Sequence, residues 1–299
     1  MKSELRDSSG RDIRLIRALG KGGFGAVWLA EVRDPSGLVH LMAVKLLHEA
    51  LAHDRDLAAR ARDEARLMSQ LNHDHVVKVH ALTEIEGRAA VLMEYVEGID
   101  CTALLADSRQ RGEPGLPLTI AAAIVERSAS ALHAAWTNLS PQTGQPMRVV
   151  HRDIKPANLL LSVRGVVKVM DFGVARGEFD REAETQSVQF GTQRYMAPER
   201  WLHGTAGPAS DVYSLGVTLW ELLSGVRFER PPLSESAYVA HLQQQIAALR
   251  VHTPLDPDAA ARIEVLLLAM MAFDPSQRMS ALGVKDELGA LIERARGPD

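Results

Sequence analysis

Val149–Leu161 reads VVHRDIKPANLLL, with His151, Arg152, Asp153, Lys155 and Asn158 set between two apolar runs. Apolar runs go inside a fold, so the chain brings these polar side chains to the edge of a core. Charges placed there are unfavourable unless a partner or a ligand compensates them. Downstream, LLLSVRGVVKVM has the pattern of a hairpin, and Asp171, Phe172 and Gly173 follow it. Such a hairpin brings Asn158 beside Asp171. An amide and a carboxylate oxygen suit Mg2+, which takes few protein ligands and fills its shell with phosphate oxygens. Asp153 is then left to orient an attacking hydroxyl.

Further out, the chain has two characters. Its first part shows strand-like runs broken by glycine: IRLIRALG, AVWLAEV, LMAVKLL and AAVLMEYV. Between them Ala58–Leu71 is rich in helix formers with apolar residues at helical spacing. From about residue 117, LTIAAAIVERSASALHAAW, DVYSLGVTLWELLSG and ARIEVLLLAMMAF read as helices. A sheet followed by helices predicts two unlike lobes with a boundary near Val96–Ile99. With 299 residues and 46% hydrophobic content, the chain has ample material for both cores. A net charge of -4, from 34 basic and 38 acidic residues, gives no electrostatic pull toward nucleic acid or membrane. The single cysteine, Cys101, rules out an intrachain disulfide and fits a reducing compartment. The start lacks the apolar stretch of a secretory signal, and the longest apolar run, Val265–Phe273, is too short to span a bilayer, so a cytoplasmic protein is expected.

Gly20, Gly22 and Gly25 in GKGGFG allow a tight turn whose amides approach phosphate oxygens closely. The turn lies between two strand patterns. A dinucleotide fold or a Walker-type loop needs a helix next, so both are disfavoured. Lys45, in the apolar strand MAVKLL, has a prospective partner in Glu64 of the following helix.

Together these segments are similar to the eukaryotic-type (Hanks-type) serine/threonine protein kinases. The matches are GKGGFGAV, MAVK, Glu64, HRDIKPAN, DFG, and APE at Ala197–Glu199, in the family's order. MEYVEG, DVYSLG from Asp211 and Arg278 add to the likeness, which runs from about Ile13 to Leu291. It implies one kinase domain over 1–299 in an α+β, two-lobed fold: a small antiparallel-sheet N-lobe with one main helix, about 10–97, and a larger, mainly helical C-lobe, about 98–293.

The resemblance also assigns roles. Leu19, Gly20, Gly22, Gly25 and Val27 belong to the loop over ATP. Val27, Ala43 and Leu160 sandwich the adenine. Met93 backs the pocket, and backbone groups of Glu94 to Val96 bond the base. Lys45 binds the α and β phosphates, held by Glu64. Asp153 is the catalytic base, and Asn158 and Asp171 bind Mg2+, with Mn2+ as a substitute. Lys155 marks the serine/threonine class, since tyrosine-directed members replace that lysine segment, and Thr192 in GTQRYMAPE bridges to the catalytic pair. Arg152 implies control by phosphorylation of the segment 174–189, where Thr185 and Ser187 are acceptors; Thr192 is a third candidate, and self-association would serve autophosphorylation. Asp211 is expected to hold the catalytic-loop backbone, Arg278 to pair with Glu199, and His151 to lie under Phe172.

Partners are therefore proteins with Ser or Thr acceptors. TNLSPQTGQPMR resembles a hairpin insertion of some bacterial kinases and points to a bacterial source. His73, Asp74 and His75 occupy the loop after the Glu64 helix, a poor setting for a metal. Two other classes remain to be distinguished. One is a pseudokinase, although none of Lys45, Asp153 and Asp171 is lost. The other is a small-molecule phosphotransferase, which would lack the GTQRYMAPE segment that builds a peptide-docking surface.

Overall fold

The structure is a computed structural model and describes residues 4–22, 25–47, 66–172, 193–252 and 255–296. The described residues pack as two units. One comprises the chain up to Glu97 with Leu139–Gln145; the other comprises Gly98–Asn138, Pro146–Phe172 and the described residues from 193 onward. Glu64, Thr185, Ser187 and Thr192 lie outside the described residues.

The small unit is an antiparallel sheet of β1 (Glu4–Arg6), β2 (Asp12–Gly22), β3 (Gly25–Arg33), β4 (Val39–Leu47), β5 (Val79–Ile85) and β6 (Arg88–Glu94), in the order β1-β2-β3-β4-β6-β5. Turn chemistry sets the register. The Asp34 carboxylate accepts from Ser36 N at 2.8 Å and Leu38 N at 3.1 Å, closing the β3–β4 turn. Glu86 and Gly87, with φ of 50° and 76°, make the two-residue turn between β5 and β6, whose positive dihedrals match the strand twist. One face carries the core of Ile13, Ala30, Val32, Val44, Leu46, Ala90 and Leu92. The edge strands meet at Asp7 and Ile85, and the buried Asp7 carboxylate accepts from Ser9 N (2.9 Å), Arg11 N (2.8 Å) and Thr83 Oγ1 (2.9 Å). Residues 66–70 are helical. The Gln70 amide oxygen accepts from Ser140 Oγ at 2.7 Å, within the segment expected as an insertion.

The large unit contains β7 (Gly98–Asp100), β8 (Leu159–Ser162) and β9 (Val167–Val169) in one sheet, with helices α1 (Cys101–Gln110), α2 (Leu118–Thr137), α3 (Pro198–His203), α4 (Pro208–Ser224), α5 (Glu235–His252), α6 (Pro257–Met270) and α7 (Ala281–Arg296). Asp100 caps α1, accepting from Thr102 N at 2.8 Å and Ala103 N at 3.0 Å. The second half of the unit is organised by α4, which is buried from Ser210 to Ser224. Around it pack α2, α5 and α6, and α2 packs on α7. Gly225 ends α4 at φ 67°, where an added Cβ would lie 1.3 Å from Pro114 O, so only glycine fits. Among the described residues, no helix is long and apolar enough to cross a membrane.

Candidate active site

The loop 151–158 is held from beneath by α4. The Asp211 carboxylate accepts the His151 amide at 2.7 Å on Oδ2 and the Arg152 amide at 2.8 Å on Oδ1. Burial pushes the Asp211 carboxyl upward, against the pull of His151 and of those two amides. Arg152 sits at φ 68°, a strained conformation for a residue with a side chain. Its peptide is fixed on both sides, since Arg200 of α3 donates to Arg152 O at 2.7 Å. Asp211 thus has the role the resemblance gave it. Arg200 was not singled out in the sequence, where nothing local links positions so far apart.

The completely buried His151 shows its tautomer through its partners. The Asp153 amide donates to Nδ1 at 3.2 Å, so that nitrogen carries no proton. Nε2 carries it instead and donates to Met170 O at 2.9 Å. Burial holds the imidazole below its usual range, which agrees with this neutral form. The ring lies 4.5 Å from that of Phe172, the expected stacking partner.

Asp153 is buried, and its Oδ2 accepts from Lys155 Nζ at 2.9 Å and from Asn158 Nδ2 at 2.9 Å. The same Asn158 nitrogen donates to Asp153 O at 2.7 Å. With its NH2 turned to Asp153, the planar amide presents its oxygen in the opposite direction. β8 and β9 pair antiparallel, with Leu159 opposite Val169, and Met170 N donates to Asn158 O at 3.0 Å. Asp171, at φ 58°, is the next residue along. One amide oxygen and one carboxylate in adjacent positions are a donor set that fits Mg2+.

In the small unit the pleat sorts the candidate residues. Val27 lies opposite Lys45, which lies opposite Val91; Ala43 lies between Leu29 and Met93. Val27, Ala43, Lys45 and Met93 therefore share one sheet face, the reverse of the core face. Gly20 pairs with Val27 and Gly22 with Gly25, and Leu19 is the bulged residue between Ala18 and Gly20. An added Cβ on Gly25, at φ 152°, would lie 2.0 Å from Leu46 O, whereas one on Gly20 meets nothing within 4 Å. The motif's glycines are thus not equivalent. Glu94 donates its N–H to Lys78 O at 2.8 Å.

Beyond the loop, Glu199 forms the expected pair with Arg278, Nη1 to Oε1 at 2.8 Å and Nη2 to Oε2 at 2.7 Å. Ser210 Oγ donates to the same Oε1 at 2.7 Å. His75 N donates to His73 Nδ1 at 3.1 Å. Among the described residues, no group of three or more His, Cys, Asp or Glu side chains is placed to hold a metal ion, His73 and His75 included.

Residues 13–287 match the family model described as protein kinase domain. The chain belongs to that family. It is 35% identical over 268 residues to the tyrosine-protein kinase MasK of Myxococcus xanthus, covering 88% of this chain and 40% of that protein. To the serine/threonine-protein kinase PknA of Mycobacterium tuberculosis it is 33% identical over 295 residues, covering 97% of this chain and 63% of that protein. The kinase domain therefore spans 40% to 63% of the length of these two relatives. Among solved structures, the crystal structure of the Mycobacterium tuberculosis PknI kinase domain superposes with a TM-score of 0.70 at 28% identity, over 97% of this chain and 99% of that one. The protein-kinase fold, with its antiparallel-sheet N-lobe and helical C-lobe, is thereby established.

Proposed function

We propose that this kinase domain transfers the γ-phosphate of ATP to serine and threonine hydroxyls of protein substrates. The observation that carries the reading is the Asp153 carboxylate, oriented at 2.9 Å by both Lys155 Nζ and Asn158 Nδ2. A carboxylate held in this way accepts a hydroxyl proton without first reorganising, and the adjacent ammonium steadies the phosphoryl group in transit. Positioning and charge neutralisation supply most of the rate in such a transfer.

In the small unit, Leu19, Gly20, Gly22, Gly25, Val27, Ala43 and Met93 are assigned to nucleotide binding and Lys45 to its α and β phosphates, with Glu64 as the lysine's partner. Val96 bonds the base through its backbone. Glu94 does so through its carbonyl, because its N–H is given to Lys78. In the large unit, Leu160 is assigned to the adenine, and Asn158 and Asp171 to Mg2+, whose charge offsets that of the phosphates. The segment 193–200 is the peptide-docking surface, tied to the catalytic loop by the bond from Arg200 to Arg152 O. Phosphorylation of Thr185, Ser187 or Thr192 controls the enzyme, with Arg152 receiving the phosphate.

Serine/threonine specificity rests on Lys155 and on relatives such as PknA; the name of MasK supports a tyrosine reading of the same site. One experiment separates these. The protein is incubated with labelled ATP and Mg2+ and a degenerate peptide mixture carrying Ser, Thr or Tyr acceptors. Phosphoserine and phosphothreonine, absent with Asp153→Asn and Lys45→Met, are expected. Phosphotyrosine alone would overturn the acceptor class. Nucleotide binding with no transfer to peptide or to the protein itself would make it a pseudokinase.

A further inference from the structure

Three segments of the large unit are tied into a ring: the catalytic loop, α3 and the start of α4. Ser210 and Asp211 are neighbours in the first turn of α4. Ser210 Oγ donates to Glu199 Oε1 of α3 at 2.7 Å, and the Asp211 carboxylate takes the amides of His151 and Arg152 at 2.7 and 2.8 Å. Arg200 follows Glu199 in α3 and closes the ring, its Nη1 donating to Arg152 O at 2.7 Å. The segment before α3 is seated on the same helix. Ser214 Oγ donates to Tyr195 O at 2.7 Å, the Tyr195 hydroxyl donates to Glu221 Oε2 at 2.6 Å, and Glu221 Oε1 lies 3.8 Å from Arg194 Nη1.

The carbonyl that Arg200 holds belongs to the peptide bond leading into Asp153. Arg152 sits at φ 68°, in the left-handed region that a side chain disfavours, and such a residue persists only where its surroundings over-determine it. Asp211 fixes the N–H side of Arg152, and Arg200 fixes its C=O side. Because a peptide unit is planar, turning that carbonyl would also turn the Asp153 amide away from His151 Nδ1, to which it donates at 3.2 Å. Charge adds to geometry. Burial pushes the Asp211 carboxyl upward, and the Arg200 cation is among the groups that oppose this.

We infer that Arg200 is a positioning residue for phosphoryl transfer: by fixing the peptide between Arg152 and Asp153, it holds the Asp153 carboxylate where an acceptor hydroxyl can reach it. It does so from the helix that ends the peptide-docking segment, so that segment and the catalytic loop move as one piece. This rests on the reading of Asp153 as the base of a protein kinase, and it assigns to that reaction a residue outside the catalytic loop. Arg200 acts through Asp153, so its effect falls on turnover and not on nucleotide affinity.

The test compares the parent with Arg200→Met and Arg200→Lys in kcat, in KM for peptide and for ATP, and in affinity for ATP alone. Amide hydrogen exchange is followed in parallel over residues 151–154 and along α4. Misplacing a catalytic group by about an ångström costs on the order of a hundredfold, so Arg200→Met should lower kcat by about 30- to 100-fold with both KM values and ATP affinity within about twofold of the parent. Arg200→Lys returns a cation with N–H donors and should regain about tenfold of that loss. In Arg200→Met, exchange over 151–154 should quicken severalfold while that of α4 stays as in the parent. A kcat within about threefold of the parent would overturn the inference. So would a loss that lysine does not lessen, or one accompanied by equally quickened exchange along α4, since either makes Arg200 a general support of the fold. A parent protein that binds ATP but transfers no phosphate would bring down the kinase reading itself, and this inference with it.

Discussion

Arg278→Met tests how the large unit holds α3 in place. All five guanidinium N–H bonds have acceptors: Nε meets Ala272 O (2.7 Å), Nη1 meets Glu199 Oε1 (2.8 Å) and Ala209 O (3.1 Å), and Nη2 meets Glu199 Oε2 (2.7 Å) and Phe273 O (3.1 Å). The arginine side chain is 0% exposed and that of Glu199 8%. Methionine keeps most of the volume but leaves a buried carboxylate with no cation from Arg278 and only neutral hydrogen-bond donors, Ser210 and a backbone N–H, a change that costs about 3–5 kcal/mol. Against a typical domain stability of about 5–15 kcal/mol, that is a large share. The assay is urea unfolding by fluorescence in a Trp28→Phe background, where Trp136, Trp201 and Trp220 all report the large unit. The pH dependence is a second check. Burial pushes the Glu199 carboxyl up, but the hydrogen bonds from Arg278 and Ser210 outweigh it and hold it below its ordinary value of 4.5. In the parent protein this contribution is present above 4.5 and is lost as pH falls through the lower folded value. In the variant the unpaired carboxyl is pushed upward and protonates on folding, so acid relieves it. The gap between the two proteins should therefore narrow below about pH 5. A loss under about 1 kcal/mol, or a gap independent of pH, would refute the argument.

His151→Asn should remove an acid sensitivity. Burial holds the folded imidazole below its ordinary value of 6.5, so its contribution is present above 6.5 and lost as pH falls toward that lower value. Melting temperature followed down to about pH 5 should fall more in the parent than in the variant. The glycine motif gives a contrasting pair. Gly25→Ala forces a Cβ to 2.0 Å from Leu46 O and should destabilise the small unit by at least about 2 kcal/mol. Gly20→Ala meets nothing and should stay within about 1 kcal/mol, as read by amide hydrogen exchange along β4.

Much of the architecture was legible because its signals are local. The strand runs in β2, β3, β4 and β6 alternate or are continuously apolar, and α2, α4 and α6 follow the stretches read as helical. Shorter elements escaped. β1 and β7 have three residues each, too few for any periodicity to register. Two long helices were overlooked although their pattern was present: Tyr238, Leu242, Ile246 and Leu249 line the buried side of α5, and Val284, Leu288, Leu291 and Ile292 that of α7. The catalytic loop could be read because its residues are adjacent in sequence. The Tyr195–Glu221–Arg194 cluster could not, since its members meet only when α4 packs beneath the segment before α3.

The hold of Asp211 on the catalytic loop also bears on how the enzyme fails. Its carboxylate projects from the helix on which the core is assembled, and it fixes the strained turn at Arg152. The loop cannot reach this arrangement before α4 is packed, nor keep it after α4 loosens. Heat inactivation and melting of the helical core should therefore coincide, so that residual activity serves as a direct count of molecules whose core is still intact.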